Sequence, residues 1–272
     1  MAVVLWLPQW WLSTSESSSQ GSLLFQLPFL NLHSLWMPAL TVVAALVCGL
    51  SASWFVERQG LAGRSTYVAS LVYLLLLSAL PGGGLYAPAS WASLFFMLSL
   101  RQLFGTLDKN MGRDEVVHAG FLLGIAALFY IWVVFLLPLY IAVLVRFRSD
   151  LFRELCLLLI SLAMPAFFLW MGMFLLERQP AFLEAFPDLS LYVGFEFSFT
   201  GVLWSALTLL LIVLGMMALA RSGLLREIRY RHIYQVLFFL MLLLPVLLWS
   251  TPGKLVASMP LVFVPAAWMG GI

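Results

Sequence analysis

Residues 116–145, VVHAGFLLGIAALFYIWVVFLLPLYIAVLV, form the stretch that decides how this chain folds. The run is 30 residues long and contains no Asp, Glu, Lys or Arg. A membrane-spanning helix needs about 20 apolar residues, so the run is long for one crossing and short for two. It therefore predicts either one long helix or a hairpin of two short helices that turns near Tyr130, Ile131 and Trp132.

The composition of the whole chain favours a lipid environment over water. The 272 residues are 63% hydrophobic and 10% charged, and the mean hydropathy is +1.03. An ordinary soluble domain has about 25% charged residues. Such an apolar surface is expected where lipid is the solvent. The net charge of +2 gives no reason to expect a nucleic-acid partner.

Seven further apolar runs lie on either side of this stretch. They are residues 36–56, 66–80, 88–107, 155–176, 197–220, 233–250 and 255–268. With the hairpin at 116–145 they predict an all-α, polytopic transmembrane helix bundle of about nine membrane helices. Residues 35–272 are then a single transmembrane domain. Residues 1–34 are expected to be an outer segment, either interfacial or the end of a clipped membrane helix.

The distribution of basic residues favours the hairpin. Short loops rich in Lys and Arg stay in the cytoplasm. The hairpin places 12 of the 14 basic residues at the inner side, and these are Arg58, Arg64, Arg101, Lys109, Arg113, Arg146, Arg148, Arg153, Arg221, Arg226, Arg229 and Arg231. A single long helix would move the last seven of them outside. We therefore predict a multi-pass protein of a cell inner membrane, with the N-terminus of the chain outside and its C-terminus cytoplasmic.

Several stretches in the first two thirds of the chain resemble a known family. They are RSTYVASLVY at 64–73, SLFFMLSLRQLF at 93–104, HAGFLLGIAALFY at 118–130, LYIAVLVRFR at 139–148, FREL at 152–155 and MPAFFL at 164–169. Over residues 35–180 the chain resembles the DUF6427 family of uncharacterised multi-pass membrane proteins of Bacteroidota. The resemblance implies a helical inner-membrane protein, with no established activity and no catalytic residues.

A second resemblance concerns the hairpin alone. Residues 118–148 are similar to a helix pair in membrane glycosyltransferases that use polyprenyl-phosphate sugars. Those enzymes rely on acidic residues in the first outer loop. The corresponding stretch here offers only Glu16, without a second carboxylate. This departure argues against an enzyme.

Candidate binding residues are charges in or beside the apolar runs. They are Arg101, Glu196, Arg146, Arg148, Arg153, Arg226, Arg229 and Arg231. Ionisable residues within membrane segments are candidate functional sites, which here means contacts to a lipid headgroup or a substrate. The alternatives are that Arg101 extends its side chain to the interface, that Glu196 interacts with a helix dipole, and that the arginine clusters set topology.

The sequence predicts no catalytic, cofactor-binding or metal-ligating residue, and it predicts no cofactor. The three histidines, His33, His118 and His232, lie too far apart in sequence for a helical metal site. Cys48 and Cys156 lie within apolar runs and are expected to act as small buried hydrophobic residues. None of the common nucleotide-binding, hydrolase or protease motifs is present.

Three functions stay open. The first is binding or handling lipid or lipid-linked cell-envelope precursors, with the bilayer and anionic lipid headgroups as partners. The second is a non-enzymatic assembly or structural subunit, which predicts a membrane-protein partner or a homo-oligomer. The third is a transporter or channel, suggested by Arg101, Glu196 and the prolines Pro138, Pro165 and Pro245 within apolar runs.

Overall fold

The computed structural model describes residues 36–58, 67–78, 88–105, 114–147 and 150–177, together with seven single positions further along. All regular structure within these ranges is helical, so the all-α prediction is confirmed for them. The helices are α1 (Trp36–Arg58), α2 (Val68–Ser78), α3 (Pro88–Gly105), α4 (Asp114–Phe129), a 3-10 helix (Ile131–Leu136), α5 (Leu137–Phe147) and α6 (Leu151–Leu175). The predicted number of nine membrane helices extends beyond the described residues.

Contacts between α1, α2 and α3 fix their relative directions. Ser53 of α1 contacts Ser70 of α2, while Gly49, one turn earlier in α1, lies against Tyr73, so the two helices are antiparallel. Cys48 and Phe55 of α1 contact Ser93 and Phe104 of α3 in the same order. The helices α1 and α3 are therefore parallel.

The next helices continue this alternation. Phe95 of α3 stacks on Phe129 of α4, with ring centroids 5.4 Å apart. Near the other end of α3, Gly105 faces the side chain of Glu115, so α3 and α4 are antiparallel. The helix α6 is parallel to α4, because Gly120 lies against Leu158 and Gly124, one turn later, lies against Leu162.

The apolar run at 116–145 folds back on itself, as the hairpin interpretation predicted. The helix α4 ends at Phe129, and Tyr130 is extended, with φ −149° and ψ 101°. Ser99 donates a hydrogen bond to the Ala119 carbonyl oxygen (2.6 Å) and contacts the Tyr140 hydroxyl (2.7 Å). Tyr140 has thus returned to the level of Ala119. A single long helix would also make α4 and α6 antiparallel, which is the opposite of what the structure shows.

Two aromatic side chains at the turn of the hairpin are buried. Tyr130 and Trp132 are 3% and 8% exposed, so both aromatic side chains pack in the interior. Pro138 lies in the first turn of α5, directly after the 3-10 helix, where a missing N–H is tolerated. Pro165 lies inside α6, and Pro245 is outside the described residues.

Two glycines bring α4 and α6 into close contact. A methyl group on the Cα of Gly120 would overlap the Ser161 hydroxyl and lie 2.8 Å from the Leu158 carbonyl oxygen. A methyl group on Gly124 would overlap the Leu162 carbonyl oxygen and lie 3.0 Å from the Pro165 ring. Small residues four apart allow helix backbones to approach in this way, most often in membranes. We call this contact the glycine seam.

Buried hydroxyl groups join α1, α2 and α3 instead. Ser70 donates to the Gly49 carbonyl oxygen at 2.6 Å, and its hydroxyl lies 2.6 Å from that of Ser53. The backbone N–H of Ser70 also donates to the Ser53 hydroxyl at 2.9 Å. The Tyr73 hydroxyl lies 2.9 Å from the hydroxyl of Ser93, which donates to a carbonyl oxygen within α3. We call these contacts the hydroxyl seam.

Residues late in the chain also pack in this core. Val236, Leu240 and Leu261 are buried in the same apolar cluster as residues of α1 to α6. Among the described residues, Leu151–Leu175 is the one helix that is long and apolar enough to cross a membrane. Shorter apolar helical stretches occupy Val42–Glu57, Val68–Ser78 and Ile131–Arg146.

Candidate functional site

The described helices carry almost all of their charge at one end. The helices α1, α3 and α5 end there, and α2, α4 and α6 begin there. Nine of the ten Asp, Glu, Lys and Arg residues in the described ranges lie at this end, and they are Glu57, Arg58, Arg101, Asp114, Glu115, Arg146, Asp150, Arg153 and Glu154. The tenth, Glu177, follows the opposite end of α6. We call the end of the helices that carries these nine residues the charged end.

Arg101 has the most specific geometry of the predicted binding residues. It lies one turn before the end of α3 and is half-buried. Its guanidinium carbon lies 4.0 Å from the centroid of the Trp54 ring on α1. A cation over an aromatic face is attracted by about 0.5–1 kcal/mol at an exposed position. The pair therefore holds the guanidinium at the junction between the apolar helices and the charged end.

Two other predicted residues lie at the same end of the helices. Arg146 is in the last turn of α5 and Arg153 in the first turn of α6, and both are exposed. The sequence placed Arg153 in a loop, and this was wrong, because α6 begins at Leu151, four residues before the predicted start. The remaining predicted binding residues, Arg148, Glu196, Arg226, Arg229 and Arg231, lie outside the described residues.

The sequence did not single out Glu154 as a functional candidate. Glu154 is 4% exposed, and it is the one buried charge among the charged side chains whose burial the structure describes. The spacing of the glycine seam places it opposite Val116 of α4, close to the first turn of that helix. An acidic residue in the first turn of a helix is common, so its type and position gave no signal. The burial of the carboxylate is seen only in the folded chain.

Potential metal ligands do not cluster in the described part of the chain. No group of three or more His, Cys, Asp or Glu side chains there could hold a metal ion. Cys48 is buried, Cys156 is half-buried, and both are free thiols. His118 is exposed near the start of α4.

Within the described helices, the arrangement with the most specific chemistry is a cation held over an indole where the apolar helices meet the charged end. It can attract an anion, but it holds no nucleophile or acid–base pair. Comparison of the chain with family models, with curated proteins and with solved structures found no match.

Proposed function

We propose that this chain is a polytopic inner-membrane protein of about nine helices with its charged end in the cytoplasm. The observation that carries the proposal is the segregation of charge to one end of alternating apolar helices. Charged residues are strongly disfavoured in the hydrocarbon core, and basic residues gather on the cytoplasmic side. Exposed apolar side chains along α6, such as Ile160, Phe167 and Phe168, fit contact with lipid.

Matched cysteine labelling tests this orientation. Asp150 and Glu177 are both exposed carboxylates, at the charged end and at the opposite end respectively. In a background without Cys48 and Cys156, we expect Glu177→Cys to react with a membrane-impermeant maleimide on intact spheroplasts. Asp150→Cys should react only after the membrane is permeabilised. Equal labelling of both variants on intact spheroplasts would contradict the proposal, and the reverse pattern would invert the orientation.

We further propose that the protein binds lipid or lipid-linked cell-envelope precursors through their phosphate groups at the charged end. Arg101 over Trp54 supports this proposal, because a guanidinium matches the geometry of phosphate oxygens. Exposed Arg146 and Arg153 add basic groups at the same end. Near a membrane surface each such residue attracts anionic lipid by about 1 kcal/mol.

Native mass spectrometry of gently extracted protein tests this activity. We expect a bound polyprenyl-phosphate or another phosphate-bearing lipid on the wild-type protein and a reduced amount on Arg101→Gln. Arg178→Gln changes the net charge equally at a position outside the candidate residues, so it is the matched control. A protein free of phosphate-bearing lipid, together with unchanged envelope precursors after gene deletion, would contradict the proposal.

An assembly subunit is the second candidate function. It is favoured by the aromatic surface near the end of α6, where Phe167, Phe168, Trp170 and Phe174 are exposed and contact one another. A protein partner or a second copy could cover this surface in place of lipid. Strictly monomeric behaviour in mild detergent, with no co-purifying subunit, would argue against it. The transporter hypothesis and the resemblance to the DUF6427 family stay predictions.

A further inference from the structure

An exposed apolar stripe runs along α1 towards the charged end. Val43, Val47, Leu50 and Trp54 are 54%, 43%, 55% and 39% exposed. Their spacing of four, three and four residues places them on one face of the helix. At 1.5 Å per residue the stripe is about 16 Å long. This length is close to one leaflet, which is half of a hydrocarbon core about 30 Å thick.

The stripe ends at a cation that belongs to the neighbouring helix. Trp54 is its last member, and Arg101 of α3 lies over the Trp54 ring at 4.0 Å. Glu57, less than one turn further along α1, begins the charged end. The order along this surface is therefore apolar side chains, then an indole, then a guanidinium. This order matches that of a phospholipid, which has an acyl chain, an interfacial glycerol and a phosphate.

We propose that the stripe on α1 and Arg101 together bind one anionic phospholipid of the inner leaflet. The acyl chain lies along Val43, Val47 and Leu50, Trp54 lies at the level of the glycerol, and Arg101 donates to the phosphate. A guanidinium carries five N–H donors in one plane, and this planar fork matches the oxygens of a phosphate. The site rests on the proposed membrane orientation and assigns a ligand to Arg101.

Lipid competition in native mass spectrometry tests the site. Purified protein is mixed with equal amounts of phosphatidylglycerol and phosphatidylcholine, and the ratio of the one-lipid adducts is measured. The wild-type protein should prefer phosphatidylglycerol. Arg101→Gln should reduce this preference about tenfold, the loss expected for one charge-assisted hydrogen bond. Arg101→Lys, which keeps the charge but loses the planar fork, should be intermediate. Arg178→Gln should match the wild-type protein.

A second variant tests the stripe without changing charge. Leu50→Gln interrupts the middle of the stripe and should weaken binding of both lipids while keeping their ratio. All variants are compared only if their melting temperatures in detergent stay close to that of the wild type. Inorganic phosphate at millimolar concentration should not displace phosphatidylglycerol. Displacement by phosphate would show an anion site without a lipid chain, and an unchanged lipid ratio in Arg101→Gln would overturn the proposal.

These outcomes are separable from failure of the proposed function. An inverted labelling pattern would contradict the proposed orientation, and the absence of precursor lipids would contradict the proposed lipid function. An unchanged preference for phosphatidylglycerol in Arg101→Gln concerns this site alone, because the experiment uses purified protein and added lipid.

Discussion

The glycine seam and the hydroxyl seam hold neighbouring helices together by different means. In the glycine seam, Gly120 and Gly124 let the backbone of α6 approach α4 until no methyl group would fit. In the hydroxyl seam, Ser53, Ser70 and Tyr73 form short hydrogen bonds between α1, α2 and α3. The glycine seam depends on the absence of side-chain atoms, and the hydroxyl seam depends on the hydrogen bonds that its side chains form.

The difference shows how an apolar chain can specify its own packing. Where lipid surrounds the helices, burying apolar surface does not favour one neighbour over another. Close backbone approach gives dispersion contacts that only one register allows. Hydrogen bonds between buried hydroxyl groups give a directional contact worth about 0.6 kcal/mol on average in membranes. We therefore expect the glycine seam to be the less tolerant of substitution.

The largest effect is expected for Gly124→Ala. The added methyl group would overlap the carbonyl oxygen of Leu162, a backbone atom that cannot move unless α6 moves. Overpacking of this kind costs about 1–3 kcal/mol. We expect a clear drop in the melting temperature in detergent, measured by fluorescence-detected size exclusion.

Gly172→Ala is the matched control for this substitution. Gly172 lies in α6, and a methyl group there would meet no atom within 4 Å. Replacing Gly by Ala in a helix should stabilise the protein by about 0.5–1 kcal/mol. If both substitutions lower the melting temperature equally, the glycine seam is not the tight contact described above.

A smaller and partly reversible effect is expected for Gly120→Ala. The nearest atom to the added methyl group is the Ser161 hydroxyl, and the Leu158 carbonyl oxygen follows at 2.8 Å. Replacing Ser161 by Ala removes the hydroxyl that the new methyl group would overlap. The double variant Gly120→Ala/Ser161→Ala should therefore recover part of the lost stability. If the two substitutions lower the melting temperature additively, contact with the backbone of α6 alone causes the loss of stability in Gly120→Ala.

Ser70→Ala should have a moderate effect in the hydroxyl seam. It removes the hydroxyl contact with Ser53 and the hydrogen bond to the Gly49 carbonyl oxygen, at a cost of about 1–2 kcal/mol. Ser51→Ala is the control, because its exposed hydroxyl bonds only the Val47 carbonyl oxygen within α1. The melting temperature should fall for Ser70→Ala and stay within error for Ser51→Ala. The reverse order would show that the hydroxyl seam does not stabilise the packing of α1 and α2.

The smallest effect is expected for the contact that closes the hairpin. The coupling energy between Ser99 and Tyr140, from a double-mutant cycle of Ser99→Ala and Tyr140→Phe, should be about 0.6 kcal/mol. The cycle uses unfolding free energies of the four proteins. A coupling energy of zero would mean that the two hydroxyl groups do not interact, and would contradict the return of Tyr140 to the level of Ala119.

Much of the fold could be predicted from the pattern of apolar runs and arginines. The runs located α1 to α6 with boundaries that differ from the structure by a few residues, as at Leu151. The arginines after the hairpin predicted the turn near Tyr130, because topology depends on the number of Lys and Arg residues in short loops. The candidate binding site was predicted less well than the helices. Arg101 was identified by its position, but its partner Trp54 was not.

The glycine seam and the buried carboxylate were not predicted. Gly120 and Gly124 are four residues apart, and this spacing could have signalled a close helix contact. Nothing in the residues of either segment indicated that α6 would be the partner helix. Glu154 looked like any acidic residue at a helix start, since burial depends on a neighbour that is distant in sequence.

By itself the sequence determined that these segments are apolar helices, where they end to within a few residues, and that charge gathers at one end. Each of these properties depends on residues close together in the chain, through hydropathy, helix breakers and loop charge. Only the tertiary structure decided that α4 and α6 pack in parallel, that Trp54 meets Arg101 and that Glu154 is buried. Most faces of these helices are apolar, so shape and a few hydroxyl groups select the neighbours.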